Sequence, residues 1–165
     1  LLGMVLGMRA VDVANLKLSD IDWVNGEIKI LQTKTGFSVA LPLTKDVGEA
    51  LKDYILNARP PSDSQQIFLR LKAPHIGIKS AVTIGEIYWA CCKAAGLPES
   101  KRFHTLRRSR GTSLLAAGEP VTMVAQVLGH AQVDSTKKYI SVDVLHFKMC
   151  ALSFDGIKPR GRGAI

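Results

Sequence analysis

One stretch of this chain has a hydrophobic rhythm unlike the rest, and it limits the possible folds most strongly. Between residues 26 and 43 the sequence reads GEIKILQTKTGFSVALPL, in which Ile28 and Ile30 flank Lys29 and a second alternating run follows Gly36. A period of two is typical of a strand with one buried face, and the intervening TKTG segment is typical of a turn. The stretch therefore predicts a β-hairpin, and we expect a third short strand near residues 21–23.

The segments on either side of the hairpin have the spacing of helices. Apolar residues recur about three or four positions apart in residues 1–18, 44–57, 83–95, 106–117, 121–128 and 142–152. Gly96, Gly118 and Gly129 directly follow three of these segments, as expected where helices end. Gly7 either weakens the first helix or allows a close approach to its backbone. We predict an α+β fold that is mostly α-helical, with one small antiparallel sheet of about three strands near the N-terminus.

The composition indicates a globular domain with a polyanionic partner. The chain has 165 residues, of which 47% are hydrophobic, and this is enough for one sizeable core. Its formal net charge of +8 favours nucleic acid as the partner. The sequence contains no long uninterrupted apolar run and no basic amphipathic helix that would favour a membrane.

The ends of the chain and its cysteines give expectations about organisation and compartment. Residues 1–155 are predicted to form one domain, followed by a basic, glycine-rich tail at 156–165 that we expect to be mobile. The sequence starts inside a helical pattern without Met, so we expect a fragment that lacks a preceding domain.

Cys91, Cys92 and Cys150 form neither a disulfide framework nor a CxxC pair, which favours a reducing, cytoplasmic location.

The segment from residue 104 to residue 139 concentrates side chains that suit phosphodiester chemistry. His104 and Arg107 are three apart and share a helix face, where Arg107 could grip two phosphate oxygens and His104 could move a proton. A basic, solvent-facing helix explains the same pair. His130 follows a helix-ending glycine, so it either points into a cleft or caps the last carbonyls. Tyr139 is either a nucleophile or a packing residue.

Taken together in chain order, these motifs resemble the tyrosine recombinase (phage integrase) family. GMRAVDVANLKLSDID resembles the opening block of that family, with Arg9 at the first catalytic arginine and Asp12 at the acidic position that supports it. TKTG places Lys34 at the hairpin lysine. The remaining matches are the HxxR pair, the LGH histidine and the nucleophile, namely His104, Arg107, His130 and Tyr139.

The resemblance implies a mechanism and a set of partners. The chain would be the catalytic domain of a site-specific DNA recombinase that cleaves and rejoins strands through a 3′-phosphotyrosyl intermediate, without a cofactor, metal ion or ATP. Double-stranded DNA would be the substrate. The family further implies self-association on DNA as a tetrameric synapse, and residues 142–152 could either dock on a neighbouring subunit or fold back on their own core. We expect the N-terminal DNA-clamping domain of that family to be absent from this fragment.

Three other functions are consistent with parts of the sequence. A type IB topoisomerase shares the same chemistry. A DNA-binding module without catalysis would use residues 106–128 as a helix-turn-helix, although VTMVAQVL suits a core better than a groove. A metal-dependent hydrolase would use the four histidines, but their spacing matches no established zinc motif.

Overall fold

The computed structural model describes residues 1–78, 80–97 and 102–129, and these residues form six α-helices and one three-stranded sheet. The helices are α1 (Leu2–Val5), α2 (Ala10–Asn15), α3 (Lys45–Asp53), α4 (Ala81–Ala94), α5 (His104–Ala116) and α6 (Val121–Leu128). The strands are β1 (Ile21–Asp22), β2 (Glu27–Leu31) and β3 (Ser38–Pro42). The predicted helix at 142–152 and the tail at 156–165 lie outside the described residues.

The sheet confirms the prediction drawn from alternation. It is antiparallel throughout with strand order β1-β2-β3, and Ile28 pairs with Ile21 on one side and Leu41 on the other. Ile28 and Ile30 are buried while Lys29 and Leu31 are exposed, because successive side chains in a strand point to opposite faces. The mostly helical α+β fold is confirmed as well.

The prediction of one helix over residues 1–18 was wrong, because the chain breaks at Gly7. Gly7 has a φ of +68°, a left-handed conformation that side chains disfavour, and it separates α1 from α2. A Cβ atom at this position would lie 2.7 Å from Cδ2 of Leu128, so the backbone and α6 are in close contact here. The alternative reading of Gly7, a close approach to the backbone, is therefore correct.

The other helices agree with their predicted segments to within a few residues. Helix α3 follows Thr44, which occupies the N-cap position, and the chain continues through a π-helical turn at Tyr54–Ala58. Helix α4 starts after Ser80, whose hydroxyl oxygen accepts a hydrogen bond from the Val82 backbone. Helix α5 begins two residues earlier than predicted, at His104, so the HxxR pair lies wholly within one helix.

In the described residues, the hydrophobic core has two parts. The larger part packs α1, α2, the sheet and α3 against the loop after α3, with Ala14, Ile28 and Ile67 fully buried. The smaller part joins α5 to α6 through Leu115, Val124 and Leu128. Burial of this face of α6 fits the expectation that VTMVAQVL belongs to a core. In the part of the chain that the structure describes, no helix is long and apolar enough to span a bilayer.

Candidate active site

Arg9 precedes α2 directly and is held by three segments that are far apart in the sequence. Its Nη1 donates to Oε1 of Gln32 over 2.6 Å and lies 3.7 Å from Oδ2 of Asp12. Its Nη2 donates to the backbone oxygen of Gly129 over 3.0 Å. The Arg9 side chain is 15% exposed, so the guanidinium is fixed in place while part of it stays accessible.

Asp12 lies one helical turn after Arg9, and its side chain is 1% exposed. Its Oδ1 accepts a hydrogen bond from the backbone N–H of Thr33 over 3.0 Å. Since Oδ2 faces Arg9, the carboxylate joins the arginine to the hairpin turn. The supporting role that the resemblance implies for Asp12 stays a prediction.

Arg107 is only 2% exposed, which is unusual for an arginine. Its Nη1 donates to the backbone oxygen of Gly7 over 2.7 Å, and its Nη2 donates to the backbone oxygen of Leu128. The alternative of a solvent-facing basic helix is therefore wrong for Arg107. It does describe the neighbouring Arg108, which is exposed.

The two arginines meet the C-terminal end of α6 at successive backbone oxygens. Arg107 donates to Leu128 and Arg9 donates to Gly129. The last carbonyls of a helix carry partial negative charge and lack partners within the helix, so guanidinium groups are favourable there. Gly129 ends α6 with a φ of +58°, which lets the chain turn sharply just before His130.

His104 is the first residue of α5, and its surroundings lower the pKa of the imidazole below the ordinary value of 6.5. Partial burial of the ring is the main cause, followed by the positive charges of Arg107, Arg108, Arg9 and Lys34. The neutral imidazole, which can accept a proton, is therefore favoured. The same interactions place His104 within electrostatic reach of both arginines and of the hairpin lysine.

Lys34 lies in the turn between β2 and β3 and is exposed. The turn is closed by hydrogen bonds from the backbone N–H of Gly36 to the oxygen of Gln32, at 2.8 Å, and from the N–H of Gln32 to the oxygen of Phe37, at 2.9 Å. These hydrogen bonds hold the backbone at Lys34, while its exposed side chain extends into solvent. Lys34 and Arg9 both lie close enough to His104 for their charges to lower the pKa of its imidazole.

Gln32 is a member of the site that the sequence analysis missed. It is 3% exposed, and its side chain contacts both Arg9 and Gly129. A signal for it was present in the sequence, because the alternation that buries Ile28 and Ile30 reaches position 32 next. A polar residue in the buried phase of a strand requires an internal partner.

Two of the predicted site residues, His130 and Tyr139, lie outside the described residues. Among residues 1–78, 80–97 and 102–129, no group of three His, Cys, Asp or Glu side chains is arranged to hold a metal ion. Cys91 and Cys92 are unpaired thiols, the first exposed and the second buried.

The chain matches the model of the phage integrase family over residues 1–146. It therefore belongs to the phage integrase family. A putative integrase/recombinase of Sinorhizobium fredii (strain NBRC 101917 / NGR234), y4rA, is 38% identical over 152 residues, covering 92% of this chain and 37% of that protein. The chain thus spans little more than a third of the length of this relative.

Two solved recombinase structures have a similar fold. The crystal structure of XerA recombinase superposes with a TM-score of 0.75 at 25% identity, covering 96% of this chain and 56% of that one. The XerH site-specific recombinase in a post-cleavage complex with its palindromic difH substrate gives a TM-score of 0.73 at 23% identity, covering 93% of this chain and 44% of that one. The second likeness concerns the fold alone. The family match does not favour the topoisomerase, the non-catalytic module or the metal-dependent hydrolase.

Proposed function

We propose that this chain is the catalytic domain of a site-specific DNA recombinase that transfers phosphodiester bonds through Tyr139. The observation that carries the proposal is the convergence of Arg9, Lys34, His104 and Arg107. Arg9 directly precedes α2, Lys34 lies in the hairpin turn, and His104 and Arg107 belong to α5. The charges of Arg9, Lys34 and Arg107 all act on the His104 imidazole and lower its pKa. Three cations can stabilise the negative charge of a phosphate, and a histidine beside them can accept a proton from the attacking hydroxyl.

The arginines would stabilise the transition state. Phosphoryl transfer concentrates negative charge on the non-bridging oxygens, and donors fixed beforehand around those oxygens lower the barrier. Arg9 and Arg107 are anchored by backbone oxygens, so neither has to be ordered when DNA binds. Removing one such donor typically raises the barrier by about 2.7–4 kcal/mol. His130 would add a further hydrogen bond.

Proton transfer would be divided between His104 and Lys34. The Tyr139 hydroxyl attacks phosphorus, a bond forms between its oxygen and phosphorus, and the bond to the 5′-oxygen breaks. His104, whose pKa is lowered by partial burial and by the neighbouring cations, would take up the tyrosine proton directly or as a relay. Lys34 would give a proton to the departing 5′-oxygen. The products are a 3′-phosphotyrosyl link and a free 5′-hydroxyl.

The covalent link would make the reaction reversible without an external energy source. A 5′-hydroxyl from another strand can attack the phosphotyrosyl group and restore both the DNA bond and the tyrosine. Because the energy of the broken bond is kept in the link, ATP is not needed. Arginine and histidine donors stabilise the phosphate charge, so this mechanism uses no metal ion.

Several wider features belong to the same proposal. Double-stranded DNA is the substrate, and the net charge of +8 supports a polyanionic partner. Residues 1–155 form the catalytic domain and 156–165 a basic tail. The chain would assemble on DNA as a tetramer, with residues 142–152 as the candidate contact between subunits. The protein would act in the cytoplasm at the nucleoid.

Covalent capture on DNA tests the proposal. The purified chain is incubated with a library of nicked duplexes of random sequence, and complexes that survive denaturation in SDS are recovered and sequenced. We expect covalent adducts with one enriched DNA sequence. Tyr139→Phe should abolish these adducts while duplexes of the enriched sequence remain bound, because only the nucleophilic oxygen is removed.

Tyr88→Phe is the matched control, since the Tyr88 ring packs edge-on against Phe103 and lies outside the proposed site. This variant should form adducts as the unmodified chain does. EDTA should leave the adduct yield unchanged. Adducts that persist in Tyr139→Phe would exclude Tyr139 as the nucleophile, and strong inhibition by EDTA would contradict the metal-free mechanism.

A further inference from the structure

Gln32 occupies a junction between three parts of the candidate site. Its Oε1 accepts hydrogen bonds from Nη1 of Arg9 at 2.6 Å and from the hydroxyl of Thr35 at 2.9 Å. Its amide also packs against Gly129, where an added Cβ atom would lie 1.9 Å from Nε2. One buried side chain therefore contacts the first arginine, the turn that carries Lys34 and the end of α6.

The main chain of Gln32 fixes the same turn. Its carbonyl oxygen accepts hydrogen bonds from the backbone N–H groups of Thr35 and Gly36, at 3.3 and 2.8 Å. A shift of the turn would therefore move the amide group, and a shift of the amide would move its contact with Arg9. At 3% exposure, Gln32 has little room to move independently of these neighbours.

The chemistry of an amide suits this position. A carboxylate here would be a second negative charge beside Arg9, in addition to Asp12, and it would offset part of the charge that a phosphate needs. An apolar side chain would leave an Arg9 N–H and the Thr35 hydroxyl without this acceptor. A neutral oxygen fixes the guanidinium in place and leaves its charge intact.

We propose that Gln32 is a positioning residue that sets Arg9 and the Lys34 turn in register with each other. The inference rests on the proposed function, because it assigns Gln32 to the cleavage step and not to DNA binding. Thr35 is part of the same arrangement, since its hydroxyl donates to the same Gln32 oxygen.

The test uses the nicked duplex enriched by covalent capture and measures two quantities, the equilibrium dissociation constant and the single-turnover rate of adduct formation. Gln32→Met keeps the size of the side chain and removes the acceptor. We expect cleavage to slow by about tenfold to a hundredfold, the range for hydrogen bonds to a charged group, while the dissociation constant changes by less than about threefold. Gln65→Met, at an exposed position, is the control and should cleave at the unmodified rate.

A second variant keeps the test decisive if Gln32→Met does not fold. Thr35→Val removes only the hydroxyl and should slow cleavage severalfold. Where both variants fold, the double variant should cleave no more than about twofold more slowly than Gln32→Met, because both changes act through one arrangement.

The outcomes separate this inference from the proposed function. If the unmodified chain forms no adducts, the proposed function fails and the inference fails with it. If the unmodified chain forms adducts and the folded Gln32→Met or Thr35→Val variant cleaves equally fast, only the inference fails. Equal losses in binding and cleavage, or losses that multiply in the double variant, would also overturn it.

Discussion

Arg9 donates a hydrogen bond from Nη2 to the backbone oxygen of Gly129 over 3.0 Å, across a sequence separation of 120 residues. The contact joins the start of α2 to the end of α6. Arg107 makes the corresponding contact one residue earlier, at Leu128. The side chains proposed to bind phosphate thus also hold the turn that leads to His130. These arginines therefore have a structural role beside the catalytic one proposed for them, and the two roles can be measured separately.

Substitution of Arg107 should destabilise the fold as well as abolish cleavage. Arg107→Met leaves the buried oxygens of Gly7 and Leu128 without their donors, at about 1–3 kcal/mol for each. Urea unfolding followed by circular dichroism measures the loss. Arg108→Met, on the exposed side of the same helix, should change the free energy of unfolding by less than about 0.5 kcal/mol. Similar losses in the two variants would show that the buried contacts contribute little.

Gly129 should tolerate a side chain less well than Gly118, although both end helices with positive φ. Alanine in a left-handed conformation costs about 1–2 kcal/mol at either position. Gly118 has no atom within 4 Å of an added Cβ, whereas at Gly129 that Cβ would collide with the Gln32 amide. Urea unfolding of Gly129→Ala should therefore show a larger loss than that of Gly118→Ala. An equal loss would mean that the Gln32 amide moves aside freely.

The lowered pKa of His104 predicts a pH dependence of stability. The unfolded chain takes up a proton near the ordinary value of 6.5, while the folded chain resists it because of partial burial and the nearby cations. As the pH falls below this value, protonation favours the unfolded state, so the contribution of His104 to stability declines. It levels off once the pH passes below the folded pKa.

Urea unfolding at a series of pH values between about 8 and 5, the range in which histidine titrates, measures this effect. The stability of the unmodified chain relative to His104→Gln should be constant in the upper part of this range and fall in the lower part. A relative stability that rises as the pH is lowered would contradict the lowered pKa of His104.

Lys34 should be dispensable when the leaving group needs no proton. On an ordinary nicked duplex, Lys34→Ala should slow adduct formation by about 10²–10⁴-fold, the usual contribution of general acid catalysis. On a duplex with sulfur in place of the bridging 5′-oxygen at the cleaved bond, the variant should approach the unmodified rate. Lys29→Ala, at an exposed lysine on β2 that bonds Asp22, should behave as the unmodified chain on both duplexes. A Lys34→Ala variant that stays slow on the sulfur duplex would exclude Lys34 as the acid.

The sequence predicts the sheet and most helices because those elements follow local rules. Alternation at Ile28 and Ile30 is a property of a single strand, and it gave the hairpin correctly. The break at Gly7 was harder to predict, because a glycine within a helical pattern is compatible both with a weakened helix and with a left-handed turn. The contact of Gly7 with Leu128 decides between them, and it depends on the packing of distant segments.

In the candidate site, too, local motifs are predictable from the sequence and contacts between distant segments are not. The motifs identify Arg9, Asp12, Lys34, His104 and Arg107, which the structure brings to one region of the fold. They do not indicate that Arg107 is buried, since its partners are backbone oxygens that carry no sequence signal. Gln32 was detectable only by extending the strand alternation by one step. Its partners lie 23 residues earlier, at Arg9, and far later in the sequence, at Gly129.

The backbone anchoring of the arginines has a consequence for variation in this fold. The backbone oxygens that accept from Arg9 and Arg107 belong to residues 7, 128 and 129, and a peptide oxygen is present whatever the side chain. The path of the main chain therefore orients both guanidinium groups, together with the Gln32 amide in the case of Arg9. Substitutions that bend the main chain, as at Gly7 and Gly129 with their positive φ, would misdirect both guanidinium groups without altering an ionisable residue.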